Sequence, residues 1–431
     1  MKRASVILPA LCLLLLSAMT RAQDALTAQP QQLTPWQQKL SQEPIQLTYF
    51  GMHIHHASDS TPWPSVPFGT FRLWDAYVSW REIEPSKGNW DFSKLDALVA
   101  RAGQHNVEVV LPLGSTPPWA SARPNENSIY KPGNAAEPAD PKDWEDYVNT
   151  VTSRYKGKIA YYEMWNETNL PGFYSGTPEK LVALEKTAYT IMKQNDPNAK
   201  MISANVTAPY GVSYFKKLLS LGMANYADII GYHFYVSPAP PEQITTLASA
   251  LESAMTAAGV NKPLWNTEAG WHPPANFPNE NSQAGILVRA MLIARGAGAS
   301  RFLWYAWDNR GWVSLFMTES DSRTPTHAAE AYANLEKWLV GNRLDPCGPS
   351  ATNGVWSCKL HYANGQDADI AWSLYGLATV TFASDNVNVE DMFGKTTTVT
   401  SKSFTFGAYP VLIHAPAVNV TVSNGFAPKP N

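Results

Sequence analysis

The feature that most constrains the fold is an alternation of short apolar runs with helical patterns between Ile45 and about residue 340. Eight runs have the composition of buried strands and cover residues 46–53, 69–74, 107–113, 159–165, 200–206, 228–233, 263–267 and 301–307. Eight strand-helix units in one chain favour a closed parallel barrel over an open sheet. The first run ends in His53, with no glycine-rich phosphate turn of the kind that a doubly wound sheet carries there. We therefore predict an α/β fold, a (β/α)8 TIM barrel, over residues 45–340.

Helix start signals support the alternation. Asp91 is the predicted N-cap of a helix after the second strand, while Asp140 and Thr177 each precede a proline at the first helical position. Helices are also predicted over residues 283–298 and 326–340, after the seventh and eighth strands. After residue 341 the helical periodicity gives way to alternating apolar and polar residues with turn signals, which predicts a C-terminal β-sandwich over residues 341–431.

The N-terminal residues predict export. Residues 1–22 combine basic residues, a short apolar run and small residues, as a signal peptide does, and residues 23–44 are a predicted linker or loosely packed arm. We expect a periplasmic or secreted protein, with an uncleaved N-terminal anchor as the alternative. In an exported chain the nearby Cys347 and Cys358 are predicted to form a disulfide.

The composition limits the partners. Only 16% of the residues are charged and the net charge is −3, which argues against nucleic acid, whereas 16 Trp and 19 Tyr suit a surface that binds sugars. Two thiols are too few ligands for a metal site, and His53 and its neighbouring histidines have no adjacent acidic residue. We therefore expect a monomer without cofactor or metal, and without stable membrane insertion after cleavage.

Two glutamates carry the predicted chemistry. Glu167 follows the fourth strand within Trp165-Asn-Glu-Thr-Asn, and Glu268 ends the seventh. Because strands four and seven lie on opposed sides of an eight-membered ring, the two carboxyl groups face each other across the barrel mouth. Cleavage of a glycosidic bond needs two such groups, one to protonate the leaving oxygen and one to attack or to activate water. Asn166 and Glu167 are neighbours, so both reach the site only if the strand ends or bulges there.

This arrangement resembles the clan A glycoside hydrolases, whose acid/base glutamate follows an asparagine at the end of strand four and whose nucleophile ends strand seven. Within the clan the segment from Trp80 to Phe92 is most similar to family 39, and the chain resembles exported endoglycosidases that act on bacterial exopolysaccharide. The resemblance implies substrate-binding roles for six residues: Arg72, Asn166, His233, Tyr235, Trp304 and Trp307. The residues themselves suggest sugar contacts for three more, namely Trp119, Trp271 and His53.

The resemblance also implies a retaining mechanism, in which carboxyl groups stand about 5–5.5 Å apart. We expect Glu167 to be protonated through burial against Trp165 and the charge of Glu268. We expect Glu268 to be ionised beside Arg72 and a phenol hydroxyl. An exo-acting enzyme such as a β-xylosidase, and a non-catalytic polysaccharide-binding protein, are the alternatives to an endo-acting hydrolase.

Overall fold

The computed structural model describes residues 25–29, 32–352 and 354–423, so the predicted signal peptide lies outside the described residues. Eight short parallel strands form the barrel: β1 Phe50–Met52, β2 Thr70–Arg72, β3 Glu108–Leu113, β4 Tyr161–Met164, β5 Lys200–Ile202, β6 Ile230–His233, β7 Leu264–Ala269 and β8 Ala299–Trp304. They pair in the order β5-β4-β3-β2-β1-β8-β7-β6. Parallel bridges from Ile202 to Ile229 and from Thr207 to His233 join β5 to β6 and close the ring. The predicted (β/α)8 barrel is confirmed.

Helices surround the strands: α1 Pro35–Gln42, α2 Trp80–Ile83, α3 Ser93–Gln104, α4 Pro141–Arg154, α5 Pro178–Asn195, α6 Val212–Ser220, α7 Gln243–Ala257, α8 Glu280–Gly296 and α9 His327–Leu339. The side chains of Asp140 and Thr177 accept hydrogen bonds from the first turns of α4 and α5, as predicted. The predicted cap at Asp91 is wrong by one residue, since Phe92 is the N-cap of α3. Asp91 instead accepts from the backbone N–H and the hydroxyl of Ser93.

The first strand departs most from its prediction. Residues Leu47–Tyr49 form a single 3₁₀ turn, so that β1 begins only at Phe50. Residues 53–69, which connect β1 to β2, contain no helix, although every later barrel strand is followed by one. The first part of this connection is held at the carboxyl end of β8, where the N–H groups of His55 and His56 and the hydroxyl of Thr61 donate to Asp308. Barrel enzymes hold their chemistry at this end of the strands.

Antiparallel strands follow the barrel and form the predicted β-sandwich: β9 Arg343–Leu344, β10 Gly348–Pro349, β11 Val355–His361, β12 Asp367–Ser373, β13 Leu377–Phe382, β14 Val387–Asp391, β15 Thr396–Val399, β16 Ser403–Phe406, β17 Val411–Ile413 and β18 Ala417–Ser423. One sheet has the order β10-β11-β12-β17-β14-β15 with β9 on β11, and the other has the order β16-β13-β18. Apolar side chains of both sheets, among them Val380, Val389 and Ile413, form a core between them.

The predicted linker is not loosely packed. Leu26 is fully buried in the sandwich core, and the Ala25 N–H donates to the carbonyl of Ala417. Further along, Thr34 caps α1 in a capping box, and the Trp36 indole donates to the carbonyl of Gly298. The segment therefore ties the sandwich to the base of the barrel. Its glutamine-rich composition suggested a solvated arm, but two buried leucines, Leu26 and Leu40, and the capped helix α1 fix it.

A disulfide within the sandwich and a buried glutamate at its junction with the barrel stabilise this part of the chain. Cys347 and Cys358 form a disulfide between the start of the sandwich and β11. Glu242, before α7, accepts hydrogen bonds from the indole of Trp372 on β12 and from the guanidinium of Arg289 on α8. Among the described helices none has the length and apolar content needed to cross a membrane.

Candidate active site

The backbone turns sharply where the fourth strand ends. β4 stops at Met164, and Trp165 and Glu167 adopt positive φ angles of 59° and 42°. Residues other than glycine adopt this left-handed conformation at a cost of about 1–2 kcal/mol each. Because the alternation of a regular strand is lost, Asn166 and Glu167 both face the barrel mouth. The expectation that the strand ends before this pair is confirmed.

Asn205 holds this turn. Its side-chain oxygen accepts from the Glu167 N–H at 2.6 Å, and its amide nitrogen donates to the Trp165 carbonyl at 3.1 Å. Its backbone carbonyl accepts from the N–H of Thr168. Asn205 is fully buried, just past β5. Sequence reasoning missed this residue; the available signal was an asparagine at the end of the strand that neighbours β4 in a barrel.

Arg72 organises the centre of the site. It projects from β2 and is fully buried, and its guanidinium contacts three acceptors. Nε donates to Glu163 at 2.5 Å, Nη1 to Glu268 at 2.7 Å and Nη2 to the side-chain oxygen of Asn166 at 2.8 Å. Burial without a partner would be costly for such a cation, and here all three sides of the planar fork are used. Glu163 on β4 is itself fully buried and forms an ion pair with Arg72 inside the barrel.

Glu268 lies on β7 opposite this turn. One of its oxygens accepts from Arg72, and the other accepts from the hydroxyl of Tyr235 at 2.9 Å. His233 at the end of β6 stands between the two glutamates, with Nδ1 3.0 Å from an oxygen of Glu167 and 3.9 Å from one of Glu268. One carboxylate oxygen of each glutamate and a ring nitrogen of His233 all lie within 4.8 Å of one another.

The electrostatics of Glu268 differ from the sequence-based expectation. Burial raises its pKa to about 7, although His233 and Arg72 act to lower it, and the charges of Glu167 and Asp75 raise it further. The sequence-based prediction is that Arg72 and a phenol hydroxyl keep Glu268 ionised. The difference arises because desolvation of a completely buried carboxyl group outweighs its two favourable neighbours.

Three of the predicted sugar platforms are buried. Trp304, Trp307 and Trp271 have 0%, 1% and 2% of their surfaces exposed, and Trp271 stacks on Trp304 with 6.3 Å between ring centroids. A platform must offer one open ring face to a sugar, so these predictions are corrected: the three indoles pack in the core beneath the site. His53 is buried as well, and its ring Nε2 donates to the carbonyl of Thr267, next to Glu268. Burial and the charge of Arg72 lower the pKa of His53 well below the usual range.

Trp119 also lies elsewhere. Its indole donates to the carbonyl of Glu84, its ring meets Trp80 edge to face, and the Lys87 ammonium lies over it. Within the described part of the chain, these contacts of Trp119 include none of the residues around the two glutamates. The prediction of a sugar platform for Trp119 therefore finds no support in its surroundings.

Exposed aromatic rings do stand at the mouth. Trp312, after β8, is 47% exposed and meets Tyr235 and Tyr305 edge to face. Tyr210, after β5, is 68% exposed, and its pKa is raised by partial burial and by the charge of Glu167. Tyr210 was missed at the sequence level because it lies in a loop whose position over Glu167 depends on the barrel closure.

A parallel barrel with two carboxyl groups facing each other from strands four and seven is the arrangement by which the sequence resembled clan A glycoside hydrolases. A family model described as β-galactosidase, that of glycoside hydrolase family 42, matches residues 70–141. An endo-1,4-β-xylanase of Gibberella zeae is 25% identical over 258 residues, which cover 55% of this chain and 70% of that protein.

Solved structures extend the comparison over most of the chain. A family 39 glycoside hydrolase of Bacteroides cellulosilyticus is 17% identical with a TM-score of 0.68, covering 86% of this chain and 81% of the other. A family 39 β-xylosidase of Caulobacter crescentus is 14% identical with a TM-score of 0.59, covering 86% and 97%. A family 30 xylanase of Clostridium acetobutylicum has the same identity and TM-score, with 88% and 97% covered. The homologues and structural neighbours of the chain are glycoside hydrolases, and the resemblance to clan A and to family 39 is confirmed.

Proposed function

We propose that the protein is a retaining β-glycoside hydrolase that cleaves within a polysaccharide, with Glu167 as acid/base and Glu268 as nucleophile. The observation that carries this proposal is the approach of the two carboxyl groups to within 4.8 Å between oxygens. Retaining enzymes hold these groups about 5–5.5 Å apart, whereas inverting enzymes leave about 6.5–9.5 Å for a water molecule. The spacing therefore favours direct attack by the second carboxylate.

In the first step, the ionised Glu268 attacks the anomeric carbon while Glu167 gives its proton to the leaving oxygen. Arg72 and Tyr235 each hold one oxygen of Glu268, which fixes the orientation of the carboxylate before attack. The product is a covalent glycosyl-enzyme. In the second step, Glu167 removes a proton from water, and the water displaces Glu268 from the sugar.

Asn166 is suited to hold the sugar during these steps. Its oxygen accepts from Arg72, and this contact turns the two N–H donors of its amide toward other acceptors. By the clan resemblance, the acceptor is the 2-hydroxyl of the sugar that Glu268 attacks. A hydrogen bond at that hydroxyl strengthens in the transition state and contributes several kcal/mol to catalysis.

Exposed rings on two sides of the glutamates support an endo mode of action. Tyr210 lies on the Glu167 side, where the leaving part of the chain departs, and Trp312 lies beside Tyr235 and Tyr305 on the Glu268 side. Sugar rings present flat C–H faces to such aromatic surfaces. Platforms on both sides suit a chain that extends past the site in both directions. Bacterial exopolysaccharide is the proposed substrate class, on the family resemblance and the predicted export.

An exo-acting β-glycosidase is the second candidate, favoured by the similarity to the Caulobacter β-xylosidase. The two modes differ in their products. An endo enzyme releases a ladder of oligosaccharides from the start of digestion, and an exo enzyme releases monosaccharide alone. Truncation of Tyr210 should weaken an endo enzyme on long chains and leave an aryl glycoside unaffected.

The test compares wild-type protein with Glu167→Gln and Glu268→Gln on purified exopolysaccharides and on xylan, with Glu330→Gln on the exposed face of α9 as control. Both site variants should lose at least about a hundredfold in rate, and the control should not. Proton NMR of the first product should show the β-anomer. Hydrolysis that persists in either site variant, or an α-anomer as first product, would refute the two-carboxylate mechanism. No cleavage of any glycan by the wild type would favour a binding protein.

A further inference from the structure

A carboxylate held by two phenols stands on the nucleophile side of the site. Asp75 follows β2 in a left-handed conformation, with φ at 57°. One of its oxygens accepts from the hydroxyl of Tyr130 at 2.5 Å, and the other accepts from the hydroxyl of Tyr305 at 2.7 Å. A residue with a strained backbone whose side chain is held by two hydrogen bonds is typical of functional sites, where the orientation of the side chain matters.

The two tyrosines come from different parts of the barrel mouth. Tyr130 belongs to the long loop between β3 and α4, and Tyr305 directly follows β8. Asp75 therefore joins loops on either side of β1 and β2 through its own carboxylate. Burial and the charge of Asp75 raise the pKa of both phenols, so both are neutral donors at any ordinary pH.

This group lies on the Glu268 side of the site, because the Trp312 ring meets both Tyr305 and Tyr235, the phenol that donates to Glu268. The charge of Asp75 raises the pKa of Glu268, and the charge of Glu268 in turn raises that of Tyr305. The Tyr305 ring also lies 5.2 Å from that of His53 and 5.5 Å from that of Trp312. Under the proposed function, the sugar that Glu268 attacks is bound on this side, and the departing chain is bound beside Tyr210.

The carboxylate of Asp75 has spare accepting capacity. An ionised carboxylate offers about four lone-pair sites, and the two phenols use one on each oxygen. Asp75 is partly exposed, and within residues 32–352 and 354–423 no described lysine or arginine forms an ion pair with it. The nearby guanidinium of Arg72 is already shared by Glu163, Glu268 and Asn166. The Arg81 guanidinium lies 4.6 Å over the Tyr130 ring but is already bound to Glu82 and Asn134. Among the described residues the wall thus presents acceptors and negative charge, and both guanidinium groups near it already have partners.

We propose that Asp75 accepts hydrogen bonds from hydroxyls of the sugar on the nucleophile side and restricts this subsite to neutral sugars, excluding uronic acids. The inference rests on the proposed function for the direction of the chain. A sugar hydroxyl gains a charge-assisted hydrogen bond from this carboxylate. A uronate at the same place would bring a second negative charge against Asp75 and Glu268, which costs binding energy through repulsion and desolvation.

The experiment measures binding and not turnover, so that it stands apart from the test of hydrolysis. Cellotetraose and mannotetraose are each titrated against the matched tetrasaccharide in which every residue is oxidised at C6 to the uronate, so that a uronate occupies the Asp75 subsite in any binding register. Tryptophan fluorescence reports binding, because Trp312 and Trp74 both lie near the Asp75 group. All titrations use the Glu167→Gln background, which prevents cleavage. Asp75→Asn is compared with Asp59→Asn, an exposed aspartate in the loop after β1.

In the background protein, at least one neutral tetrasaccharide should bind about tenfold or more tightly than its oxidised partner, and Asp59→Asn should keep this ratio. Asp75→Asn should weaken the neutral ligand and reduce the ratio to about threefold or less. If Asp75 only held Tyr130 and Tyr305 in place, both ligands would weaken together with the ratio unchanged, and the proposal would be wrong. Equal binding of the oxidised ligand, or no binding of any tetrasaccharide at about 10 mM, would also overturn it. Should Asp75→Asn not fold, Asp75→Ser takes its place with the same expected result.

Discussion

The replacement Asn205→Ala tests whether the left-handed turn at the end of β4 is held from outside. Asn205 makes two hydrogen bonds to this turn, one from the Glu167 N–H and one to the Trp165 carbonyl. Alanine removes both and leaves the N–H of Glu167 buried without this acceptor. The side chain of Asn205 is replaced without any change in the two glutamates themselves.

The energy of the lost hydrogen bonds, compared with the strain of the turn, decides whether the turn keeps its conformation in the variant. Two lost hydrogen bonds and one unsatisfied buried donor amount to about 2–4 kcal/mol. The positive φ angles of Trp165 and Glu167 cost about 1–2 kcal/mol each, so the strain in the turn is of the same size as the contacts that hold it. We therefore expect the turn to relax and Glu167 to leave its place near His233. A displacement of about 1 Å in a catalytic group lowers the rate about a hundredfold.

The assay uses leaving groups to separate acid catalysis from general damage. For aryl β-glycosides of poor leaving groups, kcat/KM should fall about a hundredfold in Asn205→Ala, because protonation by Glu167 is then required. For a dinitrophenyl glycoside, which leaves without protonation, the fall should be less than about fivefold. The matched control is Asn169→Ala, since Asn169 also links the β4 end to the β5 end, through both backbone groups of Thr207, without contacting Glu167. Equal losses for both leaving groups, or equal losses in both variants, would refute the reasoning.

Three further predictions follow from charged groups. Because Glu268 must be ionised to attack and burial raises its pKa to about 7, kcat/KM should fall about tenfold per pH unit below that value; a profile flat down to pH 5 would contradict this. The pKa of His361 is raised, since two carboxylates outweigh burial, so the stability lost in His361→Gln should be less than about 1 kcal/mol, present near pH 5.5 and gone above pH 8, as urea titrations can show. Trp372→Phe, which removes the donor to Glu242, should lower the free energy of unfolding by about 1.5–3 kcal/mol without changing kcat/KM; an unchanged calorimetric midpoint would count against this contact as a link between barrel and sandwich.

Much of the fold could be predicted because it depends on local patterns. Buried parallel strands are apolar on both faces, and prolines after Asp140 and Thr177 mark helix starts, so the count of eight units needed no tertiary information. The same count placed Glu167 and Glu268 opposite each other. The N-terminal arm failed the same reasoning, because a single leucine at position 26 anchors it in a core that is formed by strands more than 300 residues away.

The wrong predictions concern which aromatic side chains are exposed to a ligand and which are buried. Trp304 and Trp307 end a strand at the mouth of the barrel, and in a linear pattern such residues look available to a ligand. Whether an indole is open depends on its tertiary packing; both rings lie in the main core, and that of Trp304 stacks on Trp271 and on Phe302. The exposed Trp312 and Tyr210, by contrast, sit in loops that have no periodic pattern to place them. Side-chain identity at strand ends therefore predicts the chemistry of the site better than it predicts which rings touch the sugar.

The ionisation of the site is also a property of the assembled barrel. Arg72 is the one guanidinium at the centre of the described site, and it donates to Glu163 as well as to Glu268. The negative charge of Glu163 therefore weakens the stabilisation of ionised Glu268 by Arg72. Glu167 lies close enough to raise the pKa of Glu268 further. Two carboxyl groups at this distance repel each other when both are ionised, so uptake of one proton by the pair is favourable. A retaining enzyme needs this state, in which one group gives a proton while the other attacks. A second cation in place of Glu163 would favour the ionised form of Glu268.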